Sequence, residues 1–441
     1  MKRFYIHKLG CPKNDVDAEY IAGFLRGKNL EPTEFPEEAD LLIVNSCGFI
    51  QPAKEESIDA VLDLACLKKR DEKKKLVITG CLSQRYSKEL AREIPELDAV
   101  LGINDFAELD KLLNGHSEQI VAARKNHRTY TAYDFPRAVV SGEPYAYLKI
   151  SDGCDNRCAY CSIPDIRGPY RSRPIVDVVK EAAYLLECGK KELILVSQES
   201  TAYGRDLAGH CQLVPLLDRL TALDGDFWIR IMYLHPARLE PKLIDYIIDN
   251  HKICNYFDLP LQHIDDDVLL AMGRKTSRAR IESLLDLIRA REARSALRTN
   301  FIAGFPGETE EQFERLCQFV VERRFERLGA FVYSPEEGTP AASLPDQVDD
   351  DTREWRYHRL MELQQQIAFE NNANEVGRWY EVIVDAVDRD NHRGIGRTRF
   401  DAPDVDQNVR LDFDDANPGD IVAVDIRGCD GYDLLGGRRK V

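Results

Sequence analysis

The stretch that decides the fold is Cys154-Asp155-Asn156-Arg157-Cys158-Ala159-Tyr160-Cys161, which places three thiols within eight residues. The preceding residues 145–150 (YAYLKI) are typical of a short strand. The triplet is therefore predicted to lie in a loop at a strand end, where functional groups gather in α/β folds. Closely spaced thiolates favour a soft metal. Three of them suit a 4Fe–4S cube, because each holds one iron and the fourth iron stays open for a substrate or cofactor.

The same triplet also fits two other sites. It could be half of a structural zinc site, which needs a fourth ligand, although no histidine is close in the sequence. It could also be a disulfide pair beside a free thiol. The first residues, MKRFYIHKLGCPKN, lack the apolar segment of a signal peptide, so we expect a cytoplasmic protein whose twelve cysteines are reduced. Clustered cysteines then indicate metal binding or catalysis rather than disulfides.

Size and composition indicate a soluble globular protein of two to four domains, with 441 residues, 44% of them hydrophobic and 31% charged. No apolar run is long enough to span a membrane, so no membrane partner is expected. The formal net charge is −16. Polyanion binding relies on excess Lys and Arg, so this charge disfavours a nucleic acid as the main partner and suits a basic protein better.

The first domain is predicted at 1–123, where strand-like runs alternate with helical patterns. Strands are expected at 4–9, 41–45, 76–79 and 99–102, and helices at 16–26, 53–67 and 84–93, with Asn14 or Asp15 capping the first helix. This alternation predicts parallel βαβ units in an open, doubly wound sheet.

A second set of three thiols is inferred from that topology. Cys11, Cys47 and Cys81 follow the first, second and third predicted strands, in KLGCPKN, NSCGFI and TGCLSQ. In a parallel sheet these loops share the carboxyl edge, where ligands bind, so the three thiols are predicted to hold a second metal site. The alternative is that each is a small buried residue near a strand end.

A linker is predicted at 124–144 because of Pro136, Gly142 and Pro144. Six strand-like runs follow in the second domain, at 145–340, and predict an incomplete (β/α)6 barrel of the TIM type, open on one side. The runs are 145–150, 192–197, 228–233, 255–260, 297–305 and 328–333.

Several residues at strand ends of this barrel are candidates for the site. Strand carboxyl ends carry the site in such barrels, which draws attention to SQE at 197–199, QH at 262–263 and GFPGE at 304–308. GETEE at 307–311 is equally an ordinary helix start, and His263 equally a structural histidine. Arg171 and Arg173 either bind a carboxylate or are solvated.

The last part of the chain comprises a connector at 341–375 and a small antiparallel β-barrel at 376–441. The connector contains a polar helical pattern, and the barrel is predicted from short alternating strands. The barrel region carries fourteen acidic residues against ten basic ones, including Arg438, Arg439 and Lys440. An RNA-binding barrel normally has the opposite balance.

Taken together, these features resemble the radical S-adenosylmethionine (SAM) methylthiotransferases over nearly the whole chain, with a TRAM-type terminal barrel. The resemblance implies two 4Fe–4S clusters and SAM as cofactors. It assigns an auxiliary cluster to Cys11, Cys47 and Cys81, and the SAM cluster to Cys154, Cys158 and Cys161. It further implies SAM contacts from a set of strand-end and loop residues: Tyr160, Ser197, Gln198, Glu199, Gln262, Gly304 and Pro306. Glu199 departs from the family pattern, which has Asp there, and Ser46 stands where Thr is usual.

The family has two branches, one acting on a tRNA adenosine and the other on the β-carbon of one aspartate in small-subunit ribosomal protein S-twelve. Motifs similar to those of the ribosomal-protein branch are LGCPKN (9–14), CGFI (47–50), CSIPDIRG (161–168), RSRP (171–174), DLPLQH (258–263), DAPDVD (401–406) and YDLLG (432–436). The acidic terminal barrel suits a basic ribosomal protein as substrate. Its removal is expected to weaken substrate binding and to spare SAM cleavage.

The chemistry implied by the resemblance is radical transfer, which needs an electron donor but no acid–base pair, so no catalytic side chain is assigned. One SAM supplies the methyl group and a second supplies the radical. The tRNA enzyme is the nearer alternative; it predicts RNA co-purification and a basic barrel. A non-catalytic iron–sulfur carrier or zinc module is the other, and it predicts no SAM binding.

Overall fold

The computed structural model describes residues 1–116, 118–123, 136–139 and 142–439. Much of the predicted linker at 124–144 and the terminal Lys440 lie outside the described residues. Three parts follow one another along the chain: a six-stranded sheet, a six-stranded partial barrel and a five-stranded closed barrel.

The described strands are β1 (Arg3–Lys8), β2 (Glu31–Pro32), β3 (Leu41–Ser46), β4 (Lys75–Gly80), β5 (Ala99–Leu101), β6 (Ile120–Ala122), β7 (Tyr145–Lys149), β8 (Ser151–Asp152), β9 (Arg171–Ser172), β10 (Glu192–Val196), β11 (Trp228–Ile231), β12 (Tyr256–Gln262), β13 (Ala296–Ala303), β14 (Arg327–Val332), β15 (Trp379–Asp388), β16 (Arg393–Thr398), β17 (Val409–Leu411), β18 (Ile421–Asp430) and β19 (Asp433–Arg438). The described helices are α1 (Pro12–Gly27), α2 (Gln51–Arg70), α3 (Cys81–Glu93), α4 (Phe106–Leu113), α5 (Ile163–Arg167), α6 (Ile175–Glu187), α7 (Arg205–Ala208), α8 (Leu213–Thr221), α9 (Pro241–Asp249), α10 (Asp266–Ala271), α11 (Arg278–Arg291), α12 (Glu310–Arg323) and α13 (Asp350–Ala373).

The amino-terminal sheet confirms the doubly wound prediction. Its order is β2-β1-β3-β4-β5-β6, and all its pairings are parallel. Alternate residues of the buried strand β3 pack into two different apolar layers, Leu41 with α1 and α4, and Leu42 with α2 and α3. The short strands β2 and β6 were not predicted, because two or three residues carry too little pattern.

The predicted cap of α1 is wrong. The helix begins at Pro12 with Cys11 before it, so Asn14 and Asp15 lie inside its first turn. The amide of Asn14 instead donates to the carbonyls of Leu9 (2.8 Å) and Ser46 (3.1 Å). Asn14 therefore ties the ends of two neighbouring strands together and does not cap the helix.

The central part has the six predicted parallel strands. They form two three-stranded sheets, β7-β10-β11 and β12-β13-β14, with a single parallel bridge from Ile229 to Ile253 near their junction. Within the described residues no pairing joins β7 to β14, so the barrel is open there. The carboxyl ends of its strands lie towards the cysteine loop that follows β7.

The terminal part is a closed barrel in the order β15-β16-β17-β19-β18. The prediction of an antiparallel barrel needs one correction, because β17 and β19 pair in parallel. The chain leaves β17, returns as β18 beside β15, and β19 then fills the gap between β18 and β17. The barrel therefore closes through one parallel pair, β17 with β19.

The predicted connector contains a long packed helix. Helix α13 spans 24 residues and lies against β13, β14 and α12. Its buried Arg356 bonds the Glu308 carboxylate at 2.8 Å, and Leu360 and Ile367 are buried against the barrel. Of the helices that the structure describes, none has the length and apolar character needed to cross a bilayer.

Candidate functional site

Three cysteines meet at the carboxyl edge of the amino-terminal sheet. Cys11 follows β1, Cys47 follows β3, and Cys81 is the first residue of α3 after β4. These strands are neighbours in the sheet, so the predicted convergence is what the topology produces. A Cβ atom on Gly10 would lie 2.8 Å from Cys47 Cβ, which shows how closely the loop before Cys11 approaches Cys47.

The surroundings of this triplet disfavour free thiolates. Burial raises the pKa of the Cys81 thiol to about 12, although the Arg167 guanidinium lies 3.5 Å from its sulfur. Burial likewise raises the pKa of Cys47. A metal compensates for such a cost, because it holds coordinating thiols in the deprotonated form. Three thiols at neighbouring strand ends, two of them buried, fit a metal cluster better than they fit solvent-exposed thiol chemistry.

The second triplet lies in the loop after β7 and β8. Cys158 is buried, and Cys154 and Cys161 are half-buried. Burial raises the pKa of Cys154 to about 11 and that of Cys161 to about 12. The loop between them is anchored by the backbone of Ala159, which donates to Met272 O at 2.8 Å and accepts from Ala341 N at 2.8 Å. Backbone pairing therefore holds this loop in position.

No group of three His, Cys, Asp or Glu side chains in the described part of the chain is arranged to hold a single metal ion. A cube is a different case, since each of its thiolates binds a different iron and the ligands need not converge on one ion.

Two basic residues link the triplets and were missed by the sequence reasoning. Arg167 follows Cys161 by six residues and reaches across to Cys81 and to Asn14 Oδ1 (2.7 Å). Lys13 follows Cys11 by two residues, and its Nζ donates to the carbonyl of Ser197 at 3.0 Å. Both lie inside motifs already noted, LGCPKN and CSIPDIRG, which were the available signal.

The three predicted SAM contacts at 197–199 lie beside the second triplet. Ser197 Oγ pairs with Ser200 Oγ at 3.0 Å, and Gln198 donates to Asp152 at 3.2 Å. The Oε1 atom of Gln198 is buried without a hydrogen-bond partner among the described residues. Such an atom is costly unless a ligand or water satisfies it.

Glu199 is also buried. Its carboxylate accepts hydrogen bonds from Asn156 in the cysteine loop, from Thr201 (3.0 Å) and twice from Arg238 (2.6 and 2.7 Å). The protein's own donors therefore fill the acceptor positions of this carboxylate. Arg238 has no motif around it and was not predicted.

The other four predicted SAM contacts border the same region. Tyr160 is half-buried and packs against an apolar cluster under the cysteine loop. Phe305, which precedes Pro306, belongs to the same cluster. Gln262 has a positive φ of 71° at the end of β12. Gly304 also has a positive φ, and a Cβ there would lie 2.2 Å from Arg353 Cγ. Gly304 is thus required for packing of Arg353, whatever ligand it meets.

His263 and the segment 307–311 both have structural roles. His263 is buried; its Nδ1 accepts from the Asp265 amide at 3.0 Å, so its Nε2 donates to Glu308 Oε1 at 3.0 Å. Thr309 caps α12 in a capping box with Gln312. The segment 307–311 is therefore a helix start.

Arg171 and Arg173 differ from each other. Arg173 is buried and pairs with Glu181 at 2.6 Å, so it is neither solvated nor presented to a ligand. Arg171 donates to the carbonyls of Arg167 (3.1 Å) and Pro169 (3.4 Å) and so closes the loop after α5.

Three family models match: "Uncharacterized protein family UPF0004" at 3–102, "Radical SAM superfamily" at 148–320 and "TRAM domain" at 376–438. Among solved structures, the radical S-adenosylmethionine methyltransferase TsrM from Kitasatospora setae, with cobalamin and a 4Fe–4S cluster bound, is similar with a TM-score of 0.56 at 15% identity, covering 77% of each chain. The cobalamin-dependent S-adenosylmethionine radical enzyme OxsB gives 0.53 at 14% identity, over 83% of this chain and 56% of that one. At such identities the likeness shows the fold.

Sequence relatives are similar over the full length. Proteins named "Ribosomal protein uS12 methylthiotransferase RimO" are 44% identical in Clostridioides difficile, over 99% of this chain and 98% of the relative, and 45% identical in Carboxydothermus hydrogenoformans, over 98% and 99%. A third, from Desulforamulus reducens, is 44% identical over 97% of both chains.

The partial barrel and the matched models define a radical SAM enzyme with a TRAM domain, a class that works with SAM and 4Fe–4S clusters. Within that class, the identity and coverage leave one assignment: the chain belongs to the uS12 methylthiotransferase family, whose members are transferases.

Proposed function

We propose that this protein transfers a methylthio group to the β-carbon of an aspartate in ribosomal protein uS12. The observation that carries the proposal is the 44% identity over 99% of the chain to proteins named for that reaction. The cytoplasm, where ribosomal subunits are available, is the proposed place of action, and an electron donor is a required partner.

The proposed cluster ligands are the two triplets. Cys11, Cys47 and Cys81 would hold the auxiliary cluster, and Cys154, Cys158 and Cys161 the SAM cluster. When bound, these groups and SAM supply the carbon-centred radical and the methylated sulfur. The chain's own residues then have three tasks: they hold the substrate carbon between the triplets, exclude water and keep the cysteine loop in place.

The proposed SAM contacts remain those at the barrel's strand ends: Tyr160, Ser197, Gln198, Glu199, Gln262, Gly304 and Pro306. Gln198 is best supported, because its buried Oε1 has no partner in the described part of the protein. For Glu199 we propose an indirect role through Asn156 of the cysteine loop, since its carboxylate is already occupied. The proposed domain division stays at 1–123, 145–340 and 376–441, with 124–144 and 341–375 between them.

The charge of the terminal barrel supports a protein substrate less strongly than its composition suggested. Three of its fourteen acidic residues, Asp401, Asp404 and Asp406, contact Arg327, Tyr147 and Tyr256 of the central barrel. Others pair with local arginines, as Asp415 does with Arg438 and Asp425 with Arg439. A tRNA substrate is still disfavoured, because this surface carries no basic excess.

The test begins with iron and sulfide counted per chain after purification without oxygen. We expect about eight irons, the content of two cubes. Cys158→Ala should leave about four irons and abolish SAM cleavage, and Cys47→Ala should leave about four and retain cleavage. Cys188→Ala, an exposed cysteine outside both triplets, is the control. With sulfide, SAM and a reductant, mass spectrometry should find one methylthio group on a uS12 aspartate. Zinc without iron, or modification of tRNA only, would refute the proposal.

A further inference from the structure

Lys13 is a buried cation without a carboxylate. Its side chain is 7% exposed. Its contacts are the Ser197 carbonyl at 3.0 Å and the face of the Tyr233 ring, whose centroid lies 3.7 Å from Nζ. No acidic side chain of the described residues pairs with it. Burial alone would lower the pKa of Lys13, but Tyr233 and the Cys11 thiol raise it. An ammonium has three donors, and what Lys13 lacks among the described residues is a carboxylate partner.

The neighbouring buried cations contrast with it. Lys149 pairs with Asp17, and Arg167 pairs with Asp17 (3.1 Å) and Asp152 (3.1 Å). The joint between sheet and barrel therefore supplies carboxylates to its other cations. Lys13, on the same helix as Asp17, is left without one.

The position of Lys13 is between the two triplets. It leaves the first turn of α1 beside Cys11, and its Nζ reaches the residues that follow β10 and β11 at the mouth of the barrel. The proposed reaction requires the substrate carbon to lie between the two clusters. A side chain that extends from one triplet into the barrel mouth lies where that substrate must enter.

The backbone at Tyr233 is built to hold this arrangement. Tyr233 has φ 62°, a left-handed conformation that is unfavourable for a residue with a side chain. Its amide donates to Asp258 Oδ2 at 2.8 Å, and its carbonyl accepts from Ser200 N at 2.9 Å. These bonds fix the strained residue and keep its ring under the Lys13 ammonium. Strain of this kind collects at functional sites.

We infer that the Lys13 ammonium binds the side-chain carboxylate of the substrate residue, and so selects aspartate over its neutral analogues. The inference rests on the proposed function, since it takes the substrate to be an acidic residue. A charge-assisted hydrogen bond in a buried, low-dielectric site gives both affinity and orientation. An asparagine of the same shape would leave the ammonium unpaired, and sites of this kind reject such analogues strongly.

The experiment measures binding, without turnover, to the cluster-loaded protein with SAM and no reductant. The ligands are uS12 and a uS12 variant in which the modified aspartate, located by mass spectrometry, is replaced by asparagine. Wild-type protein should prefer the aspartate form by about tenfold or more. Lys13→Met should lose that preference to within about twofold and bind the asparagine form as the wild type does.

Two further variants make the comparison secure. Lys74→Met removes another buried ammonium of the amino-terminal domain, one that lies just before β4 and donates to the carbonyls of Glu37 (2.7 Å) and Ala39 (2.5 Å); it should keep the full preference. Lys13→Gln keeps a donor for Ser197 without the charge, and should lose the preference even where Lys13→Met folds poorly.

The outcomes separate this inference from the proposed function. If wild-type protein binds neither form of uS12, the proposed function itself fails. If it binds and modifies uS12 and Lys13→Gln keeps the preference, the carboxylate assignment is overturned. A variant that loses both forms equally, or iron, marks Lys13 as a structural tie. Loss of SAM affinity with the preference intact assigns Lys13 to the carboxylate of SAM, which also overturns the inference.

Discussion

At the residue scale, Glu199 connects the cysteine loop to the central barrel. Its carboxylate is 5% exposed and accepts from Asn156, Thr201 and Arg238. Asn156 belongs to the cysteine loop, so the contact ties that loop to the end of β10. Arg238 also donates to Asn156 Oδ1 at 3.1 Å, which closes a triangle of polar groups.

Glu199→Gln tests this tie. The amide keeps the shape but presents donors to Arg238 and Asn156, so we expect unfolding to become easier by about 2–4 kcal/mol. Iron bound by Cys154, Cys158 and Cys161 should then be lost faster to a chelator, which can be followed by visible absorbance. Asp286→Asn, which removes an exposed pair with Arg323, should change stability by only about 0.5 kcal/mol. Equal iron loss from both variants would contradict the role of Glu199.

At the scale of elements, the segment 399–406 works as a plug. It leaves the terminal barrel after β16 and enters the interior of the central barrel at the amino halves of its strands. The contacts are Tyr145 and Tyr147 with Asp404, Tyr256 and Arg298 with Asp406, Arg327 with Asp401, and Arg230 with the carbonyl of Arg399. This is the DAPDVD motif, in which Asp401 is fully buried, Asp406 is half-buried and Asp404 is exposed.

Because of the plug, we expect removal of the terminal barrel to affect the stability of the central barrel as well as substrate binding. Deleting 376–441 would leave Arg327 without Asp401, although Arg230 keeps Glu192 and Arg298 keeps Asp258. Loss of one partner of a buried ion pair is strongly destabilising. We therefore expect the deletion to unfold the central barrel in part and to lower SAM cleavage as well as substrate binding. The sequence predicted that SAM cleavage would be spared, because it does not reveal the contacts of 399–406 with the central barrel.

Asp401→Asn tests the plug without a deletion. Asp401 is fully buried, and Arg327 donates to its Oδ1 from Nε at 3.0 Å. Removing this charge should lower the free energy of unfolding by about 3 kcal/mol, measured in urea on the cluster-loaded protein. Asp415→Asn, exposed on the same barrel, is the matched control and should have little effect. An equal effect of the two would mean that the plug contributes no stability.

At the scale of the whole molecule, a buried ionic network joins the amino-terminal sheet to the central barrel. Glu181 on α6 pairs with Arg173 (2.6 Å) and Arg137 (2.8 Å), and Tyr20 on α1 donates to it at 2.5 Å. Arg137 also pairs with Glu19 of α1. The network fixes the sheet against the barrel and thereby fixes the distance between the two cysteine triplets.

Glu181→Gln tests this joint and its pH dependence. Burial alone would raise the pKa of Glu181, but Arg173, Arg137 and Tyr20 lower it to about 2, below the ordinary value of 4.5. Such a shift corresponds to about 3 kcal/mol of stability at neutral pH. Because the folded pKa is the lower one, this stability is complete above about pH 4.5 and is lost as the pH falls towards about 2.

The measurement compares urea unfolding of the two proteins from pH 8 to pH 3. The free energy of unfolding of the wild type should exceed that of Glu181→Gln by about 3–5 kcal/mol. This difference should be constant from pH 8 down to about pH 5 and should become smaller at lower pH. Reading the difference at each pH removes the effect of iron loss, which is common to both. If the difference in unfolding free energy instead widened as the pH falls, the pKa of Glu181 in the folded protein would be raised, which would contradict the prediction.

The sequence alone determined the local elements and the two triplets. Strand-like runs alternate with helical patterns at 1–123, and Cys11, Cys47 and Cys81 each follow one of those runs, so strand order in the chain was enough to place them at one edge. The spacing of Cys154, Cys158 and Cys161 is short enough for the local loop to set their geometry. The hydrophobic pattern of a strand and the spacing of cysteines in a loop are local properties, so they can be read from the sequence without the fold.

Tertiary structure alone decided the contacts between distant segments. Lys13 and Ser197 are 184 residues apart, and Asp404 and Tyr147 are 257 apart; no local pattern couples such pairs. A charge in a motif looks the same whether it faces water, a partner or the protein's own interior. The acidic residues of the terminal barrel suggested a basic partner, whereas packing places Asp401 against Arg327 and Asp406 against Arg298 of the central barrel.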